Sequence, residues 1–156
     1  MQTKPPTLFT VTYPDILSEH SQPMEKIVLQ PSPTTPKVNF DSQTGLLEIS
    51  GKSLPENSID FFQPIHAWLD NYSADPNDVT SLIFKLEYFN TSSTSHFLKI
   101  IKKVEKLFDM GRNANVIWYY DYEDEDMKEA GEDFKMLVKL PVDIVGTDFI
   151  LSLIHI

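Results

Sequence analysis

Apolar and polar residues alternate along the chain on both sides of the polar loop 41–45. Alternation with a period of two around a loop that ends in glycine predicts a β-hairpin. We expect Gly51 and Pro55 to end the second strand of this hairpin. Residues 24–29, ahead of it, favour a short edge strand.

Helical spacing replaces the alternation after Pro55. Apolar residues recur every three or four positions in three segments, which predicts helices over 57–72, over 95–109 and from the acidic segment 121–133 to Pro141. Buried strands are predicted between them over 79–89 and 115–120, with a last strand over 142–145. Because the strand over 79–89 is apolar on both faces, we expect it at the centre of a sheet.

This order of elements predicts an α/β fold, in which a mixed sheet with central parallel strands is covered by about three helices through right-handed crossovers. Residues 24–148 are expected to form a single domain. Seven of the eleven prolines lie in residues 1–36, which favours a flexible proline-rich extension over 1–23. Residues 149–156 form an apolar C-terminal tail, which would be prone to aggregation if it were exposed.

Charge and composition exclude several classes of function. The chain has 156 residues, a net charge of −10, one arginine and no cysteine. This charge argues against nucleic-acid binding, which depends on Lys and Arg contacts to phosphate. The lack of cysteine excludes thiol chemistry and Cys-ligated metals. No secretory signal or apolar membrane span is visible, so we expect a cytoplasmic protein that does not insert into membranes.

The run of hydroxyl-bearing and amide residues over 90–95 is the most informative motif, because it joins the carboxyl end of a central strand to a helix. One interpretation is helix capping, in which a side chain satisfies the first free amides. The other is a phosphorylation site, because a helix N-terminus favours added negative charge. Spacing leaves both interpretations open.

Two enzymatic or metal-binding interpretations are weaker. The segment 121–129 contains six carboxylates, which could bind Mg²⁺ or Ca²⁺ but lack the spacing of a calcium loop, so a solvated helix start is favoured. His96 lies beside the hydroxyl run and could act as the base of a small Ser or Thr hydrolase. No nucleophile-elbow motif accompanies it, and no phosphate-binding loop suggests a nucleotide cofactor.

Four segments together resemble the SiaC family of bacterial regulatory phosphoproteins. They are 35–41 (TPKVNFD), 51–57 (GKSLPEN) with Phe62 and Trp68-Leu69, 88–93 (YFNTSS), and 118–127 with its WYY and DEDM motifs followed by Gly131-Glu132. The resemblance covers about residues 24–145. It implies a STAS-like domain, similar to anti-anti-sigma factors, that is not an enzyme and holds neither a cofactor nor a metal.

The resemblance also implies a partner-switching system. A kinase of the histidine-kinase-like ATPase type would phosphorylate Thr91, with Ser92 and Ser93 as the alternatives, and a PP2C-type phosphatase would reverse the reaction. The unphosphorylated form would bind and activate a diguanylate cyclase and so control cyclic-di-GMP and biofilm formation. Candidate interface residues are Asn90, Ser92, Ser93, Glu56 and Asn57. A scaffolding module without a phosphoswitch is the alternative.

Eight acidic residues and one lysine lie in the segment 121–133. Most of the excess negative charge is therefore expected in one patch, away from the surface around Thr91.

Overall fold

The computed structural model describes residues 25–148, which form one six-stranded sheet and three helices. The strands are β1 (Ile27–Leu29), β2 (Lys37–Asp41), β3 (Leu46–Ser53), β4 (Val79–Phe89), β5 (Asn113–Asp121) and β6 (Val142–Thr147). The helices are α1 (Ser58–Tyr72), α2 (Thr91–Asp109) and α3 (Glu125–Met136). The predicted extension 1–23 and tail 149–156 lie outside the described residues. None of the three helices is long and apolar enough to cross a membrane.

The strands lie in the sheet in the same order as in the chain. The first three pair in antiparallel fashion, and β3 to β6 are parallel to one another. Each parallel connection contains one helix, and right-handed crossovers between strands in sequential order place successive helices on the same face. The α/β class, the mixed sheet with central parallel strands and the three helices predicted from the sequence are therefore confirmed.

The core fills the space between this helical layer and one face of the sheet. Alternate residues of the central strands are buried there, including Leu82 and Phe84 of β4 and Trp118 of β5. Phe97 of α2 packs edge-on against Phe84, with 5.3 Å between ring centroids. Phe134 of α3 packs against Trp118 at 5.3 Å. All three helices thus share a single core.

Several predicted boundaries are corrected. The second strand of the hairpin does not end at Gly51 but continues to Ser53. Helix α2 begins at Thr91 and not near residue 95, so the hydroxyl run belongs to its first turns. Helix α3 ends at Met136, well before Pro141, and Leu137, the residue after it, is exposed.

The prediction that β4 is apolar on both faces is only half right, although β4 is central in the sheet. Ile83 does lie on the face opposite the helices, but its neighbours there, Ser81 and Lys85, are polar. Phe89 lies on the helix side, where it packs against Phe97 and Trp118. A bulge explains the change of side, because Gly51 pairs with Leu86 and the next residue, Lys52, pairs with Tyr88.

Candidate functional site

All three helices begin at one edge of the sheet, because each follows the carboxyl end of a parallel strand. Each start is capped by a polar side chain. Asn57 accepts a hydrogen bond from the Asp60 amide at 3.1 Å, Asn90 one from the Ser93 amide at 3.0 Å, and Asp124 one from the Met127 amide at 3.0 Å. This carboxyl edge is where open α/β sheets commonly bind ligands.

The hydroxyl run contains two exposed residues at the start of α2. Ser92 is exposed, and its hydroxyl donates to the side-chain oxygen of Asn90 at 3.1 Å. Thr91 is also exposed, and its hydroxyl forms no hydrogen bond within residues 25–148. Because the first amides of a helix carry partial positive charge, a negative group attached here is electrostatically favoured.

Ser93 has a different role, which corrects its inclusion among the phosphoacceptors and interface residues. It is completely buried. Its Oγ donates to the Ser53 carbonyl at 2.9 Å and lies 2.8 Å from the Ser53 hydroxyl. The amide of Asn90 donates to the same carbonyl at 3.0 Å. Ser93 therefore attaches the start of α2 to the end of β3, and its hydroxyl is inaccessible in the folded domain.

The candidate residues of the neighbouring helix start lie at the same edge. Glu56 and Asn57 are exposed between β3 and α1, and β3 is the direct neighbour of β4. The side-chain Nδ2 of Asn57 donates a hydrogen bond to the Asp60 carboxylate at 2.8 Å, so this side chain is fixed as a cap. The fold thus brings Glu56, Asn57, Asn90 and Ser92 to one edge of the sheet.

The acidic segment also reaches this edge, contrary to the charge separation expected from the sequence. Its first residues, 121–126, follow the end of β5, which pairs with β4. Asp124 caps α3, while Glu125 and Asp126 occupy its first turn. Within the described part of the chain, no cluster of three or more carboxylate or histidine ligands could hold a metal ion. The cap formed by Asp124 and the first-turn positions of Glu125 and Asp126 agree with the predicted acidic helix start.

His96 is paired with another histidine and not with the hydroxyl run. Its Nδ1 lies 3.0 Å from Nε2 of His66 on α1, and its ring stacks on Phe62. Burial and Lys99 lower the pKa of His96. Burial, followed by Lys103, His96 and Lys99, lowers the pKa of His66 to about 4, with Asp70 opposing the shift. The pair joins α1 to α2, an arrangement unlike a base poised beside a serine nucleophile.

Neither the burial of Ser53 nor the bulge before Tyr88 was predicted from the sequence. Ser53 lies in a polar segment, and its buried hydroxyl contacts Ser93, which is 40 residues away. The local sequence therefore gives no sign that Ser53 is buried. The bulge turns Tyr88 toward the helix-free side, where 53% of its surface is exposed. The alternation of buried and exposed positions along β4 holds through Glu87 and breaks at Tyr88, which is exposed like the residue before it.

The chain belongs to the SiaC family of regulatory phosphoproteins, whose family model matches residues 29–147. An uncharacterised protein of Pseudomonas aeruginosa strain UCBPP-PA14 is 32% identical over 115 residues, which are 74% of this chain and 91% of that protein. The predicted family resemblance is therefore confirmed.

Solved structures of SiaC from Pseudomonas aeruginosa have the same fold. Apo-SiaC is 30% identical, with a TM-score of 0.73 over 78% of this chain and 99% of that one. SiaC is also similar in a complex in which it is the activator of the diguanylate cyclase SiaD, with a TM-score of 0.74, 30% identity and the same coverage. The family is therefore one of regulatory proteins, at least one of which acts on a cyclase.

Proposed function

We propose that this protein is a non-enzymatic regulator that, when unphosphorylated, binds and activates a diguanylate cyclase and thereby controls cyclic-di-GMP and biofilm formation. Family membership and the solved complex of SiaC with SiaD support this proposal. The observation that carries the regulatory part is the position of Thr91, exposed at the start of α2 with no hydrogen bond to any described residue.

Thr91 is the proposed phosphoacceptor. A phosphate adds about −1.5 to −2 charge and three strong acceptor oxygens. At the start of α2 the helix dipole favours this charge, so we expect the domain to stay folded after modification. A partner that covers Thr91 would have to desolvate the dianion, which weakens its binding.

Reversible modification requires two further partners. We propose a Ser/Thr kinase of the histidine-kinase-like ATPase type and a PP2C-type phosphatase, as the family resemblance implies. Ser92 is the alternative acceptor, because it is exposed beside Thr91. The proposed contacts for these proteins share the carboxyl edge with Thr91. They are Asn90, Ser92, Glu56 and Asn57. The proposed location is the cytoplasm, where the kinase would draw on ATP.

A constitutive scaffolding module is the second candidate function. The observation in its favour is the hydrogen bond from the Ser93 amide to Asn90, because capping alone accounts for a polar residue at that position. Capping by Asn90 does not require the exposed hydroxyl of Thr91, so phosphorylation of Thr91 distinguishes the two candidates.

The test is incubation of the purified protein with the candidate kinase of its own organism and ATP, followed by mapping of phosphate by mass spectrometry. We expect one phosphate on the wild type and on Ser92→Ala, and none on Thr91→Ala. Phosphate on Ser92 alone would identify Ser92, and not Thr91, as the phosphoacceptor. A complete lack of phosphate on the wild type would favour the scaffolding module.

A further inference from the structure

Exposure alone does not single out one phosphoacceptor among the five hydroxyl residues 91–95. Ser93 is buried. The other four residues are exposed, and they are Thr91, Ser92, Thr94 and Ser95. A kinase could therefore reach four hydroxyl groups within two turns of α2. The feature that separates these four groups is the hydrogen bonding of each hydroxyl.

Three of the exposed hydroxyls are engaged within the start of α2, and the fourth is not. Ser92 donates to the side-chain oxygen of Asn90 at 3.1 Å. Thr94 donates to the backbone carbonyl of Asn90 at 3.4 Å, and Ser95 donates to the carbonyl of Ser92 at 3.2 Å. The Thr91 hydroxyl has no hydrogen-bond partner in the part of the chain that the structure describes. Thr91 is thus the one exposed hydroxyl of the run that is not held by its own helix start.

Asn90 is the residue that holds Ser92, the hydroxyl next to Thr91. Its Oδ1 accepts a hydrogen bond from the Ser93 amide at 3.0 Å, so the oxygen of this side chain, and not its nitrogen, faces the helix. A carbonyl oxygen cannot donate, and the Ser92 hydroxyl is therefore the donor of the bond between them. The backbone amide of Asn90 donates to the Ser53 carbonyl at 3.0 Å, which attaches Asn90 to the end of β3. The acceptor of the Ser92 hydroxyl is thus fixed in position.

Phosphate transfer requires a hydroxyl that can present its oxygen and release its proton. The hydroxyl oxygen forms a bond to the γ-phosphorus of ATP, the bond from that phosphorus to the bridging oxygen breaks and ADP leaves, and the hydroxyl proton passes to a base of the kinase. Ser92 has to break its hydrogen bond to Asn90 before it can donate to that base. Thr91 has no such bond to break.

We propose that Asn90 is a specificity-determining residue, which holds the Ser92 hydroxyl and so directs phosphate transfer to Thr91. Asn90 is a positioning residue, because it acts through Ser92. Its carbonyl oxygen has two lone pairs, so it caps the Ser93 amide and accepts from Ser92 at the same time. The inference rests on the proposed function, since it concerns the choice of acceptor in the same phosphoswitch.

Asn90→Gly tests this role, because it removes the acceptor of Ser92 and glycine is tolerated at a helix N-cap. The variant and the wild type are incubated with the candidate kinase of the same organism and ATP. Mass spectrometry at low conversion then measures the ratio of phosphate on Ser92 to phosphate on Thr91. We expect this ratio to rise about threefold to tenfold, the factor that corresponds to one hydrogen bond of ordinary strength. An unchanged ratio would overturn the proposal.

Two control variants separate positioning of Ser92 from a general loosening of the helix start. Asn90→Asp keeps an acceptor oxygen in the same place, so the ratio should stay within about twofold of the wild type. Ser93→Ala removes the hydrogen bonds to Ser53 and leaves Asn90 in contact with Ser92, so it should also keep the ratio. A shift in either control as large as that in Asn90→Gly would contradict the proposed role, because neither control releases Ser92.

The conformation of Ser92 provides a readout that needs no kinase. A held hydroxyl keeps one staggered χ1 rotamer, which the NMR couplings between Hα and Hβ report. We expect the couplings of a single rotamer in the wild type and in Asn90→Asp, and averaged couplings in Asn90→Gly. Averaged couplings in the wild type would overturn the proposal. A wild type that takes up no phosphate would instead overturn the proposed phosphoswitch, and the couplings would then still decide whether Asn90 holds Ser92.

Discussion

Replacement of Ser93 by alanine should destabilise the domain, because this hydroxyl is structural. The substitution removes the hydrogen bonds that Ser93 makes with the carbonyl and hydroxyl of Ser53, at 2.9 and 2.8 Å. The Ser53 carbonyl keeps a donor in the Asn90 amide at 3.0 Å. The buried Ser53 hydroxyl loses its hydrogen-bond partner, Ser93 Oγ. Leaving a buried hydroxyl unpaired costs about 1–3 kcal/mol.

Urea denaturation measures this cost directly. For Ser93→Ala we expect a lower midpoint at an unchanged slope, and a melting temperature lower by roughly 3–10 °C. Ser92→Ala is the matched control, because it removes an exposed hydroxyl from the next position and should stay within about 0.5 kcal/mol of the wild type.

A double-mutant cycle then tests whether Ser53 is the cause. When both serines become alanine, no polar group of either side chain is left unpaired, so the double variant should lose less stability than the two single variants added together. A Ser93→Ala protein as stable as Ser92→Ala would refute the argument. Strict additivity in the cycle would refute the assignment to Ser53.

Three further substitutions test other parts of the fold. Gly45→Ala should cost about 2–3 kcal/mol, because Gly45 has a φ of +75° and an added Cβ would meet the Val79 carbonyl oxygen. Gly131→Ala should cost about 1–3 kcal/mol, because its Cβ would meet the Trp118 ring; denaturation followed by tryptophan fluorescence measures it. His66→Gln should reduce the loss of stability between pH 6.5 and 4, because the folded pKa of His66 is about 4 and the unfolded chain binds the proton first.

Each of these predictions has a control or a contradicting outcome. Gly111→Ala shares the positive φ of Gly45→Ala but meets no atom within 4 Å, so a smaller loss there isolates the clash. A Gly131→Ala protein with an unchanged midpoint would contradict the packing of α3 on Trp118. Protonation of His66 should lower the free energy of unfolding of the wild type by about 1 kcal/mol between pH 6.5 and pH 4, once the partial exposure of the ring is allowed for. An identical pH profile for wild type and His66→Gln would refute it.

Much of the fold could be predicted from local pattern. The alternation around loop 41–45 and the apolar spacing of the three helical segments are local properties, and the structure confirms the elements they predict. The side on which the helices lie was not predicted. It depends on the order of the strands in the sheet, and an isoleucine such as Ile83 has the same local pattern whether or not a helix covers it.

The candidate site was only partly predictable for the same reason. Asn90 and the hydroxyl run stand out in the sequence because capping and phosphorylation both use such residues near a helix start. The sequence does not distinguish Ser93 from Ser92, because the two differ only in which side of α2 they occupy. Nor does it show that residues 121–126 share an edge with Thr91, which follows from the parallel pairing of β4 and β5.

We propose that phosphorylation of Thr91 switches off activation of a diguanylate cyclase. The most direct measurement is the rate of cyclic-di-GMP formation by the cyclase of the same organism with wild-type protein, before and after kinase treatment, and with Thr91→Ala treated in the same way. We predict that the untreated wild type activates, the treated wild type does not, and Thr91→Ala activates in both cases. A treated wild type that still activates, or a Thr91→Ala protein that the kinase silences, would contradict the account.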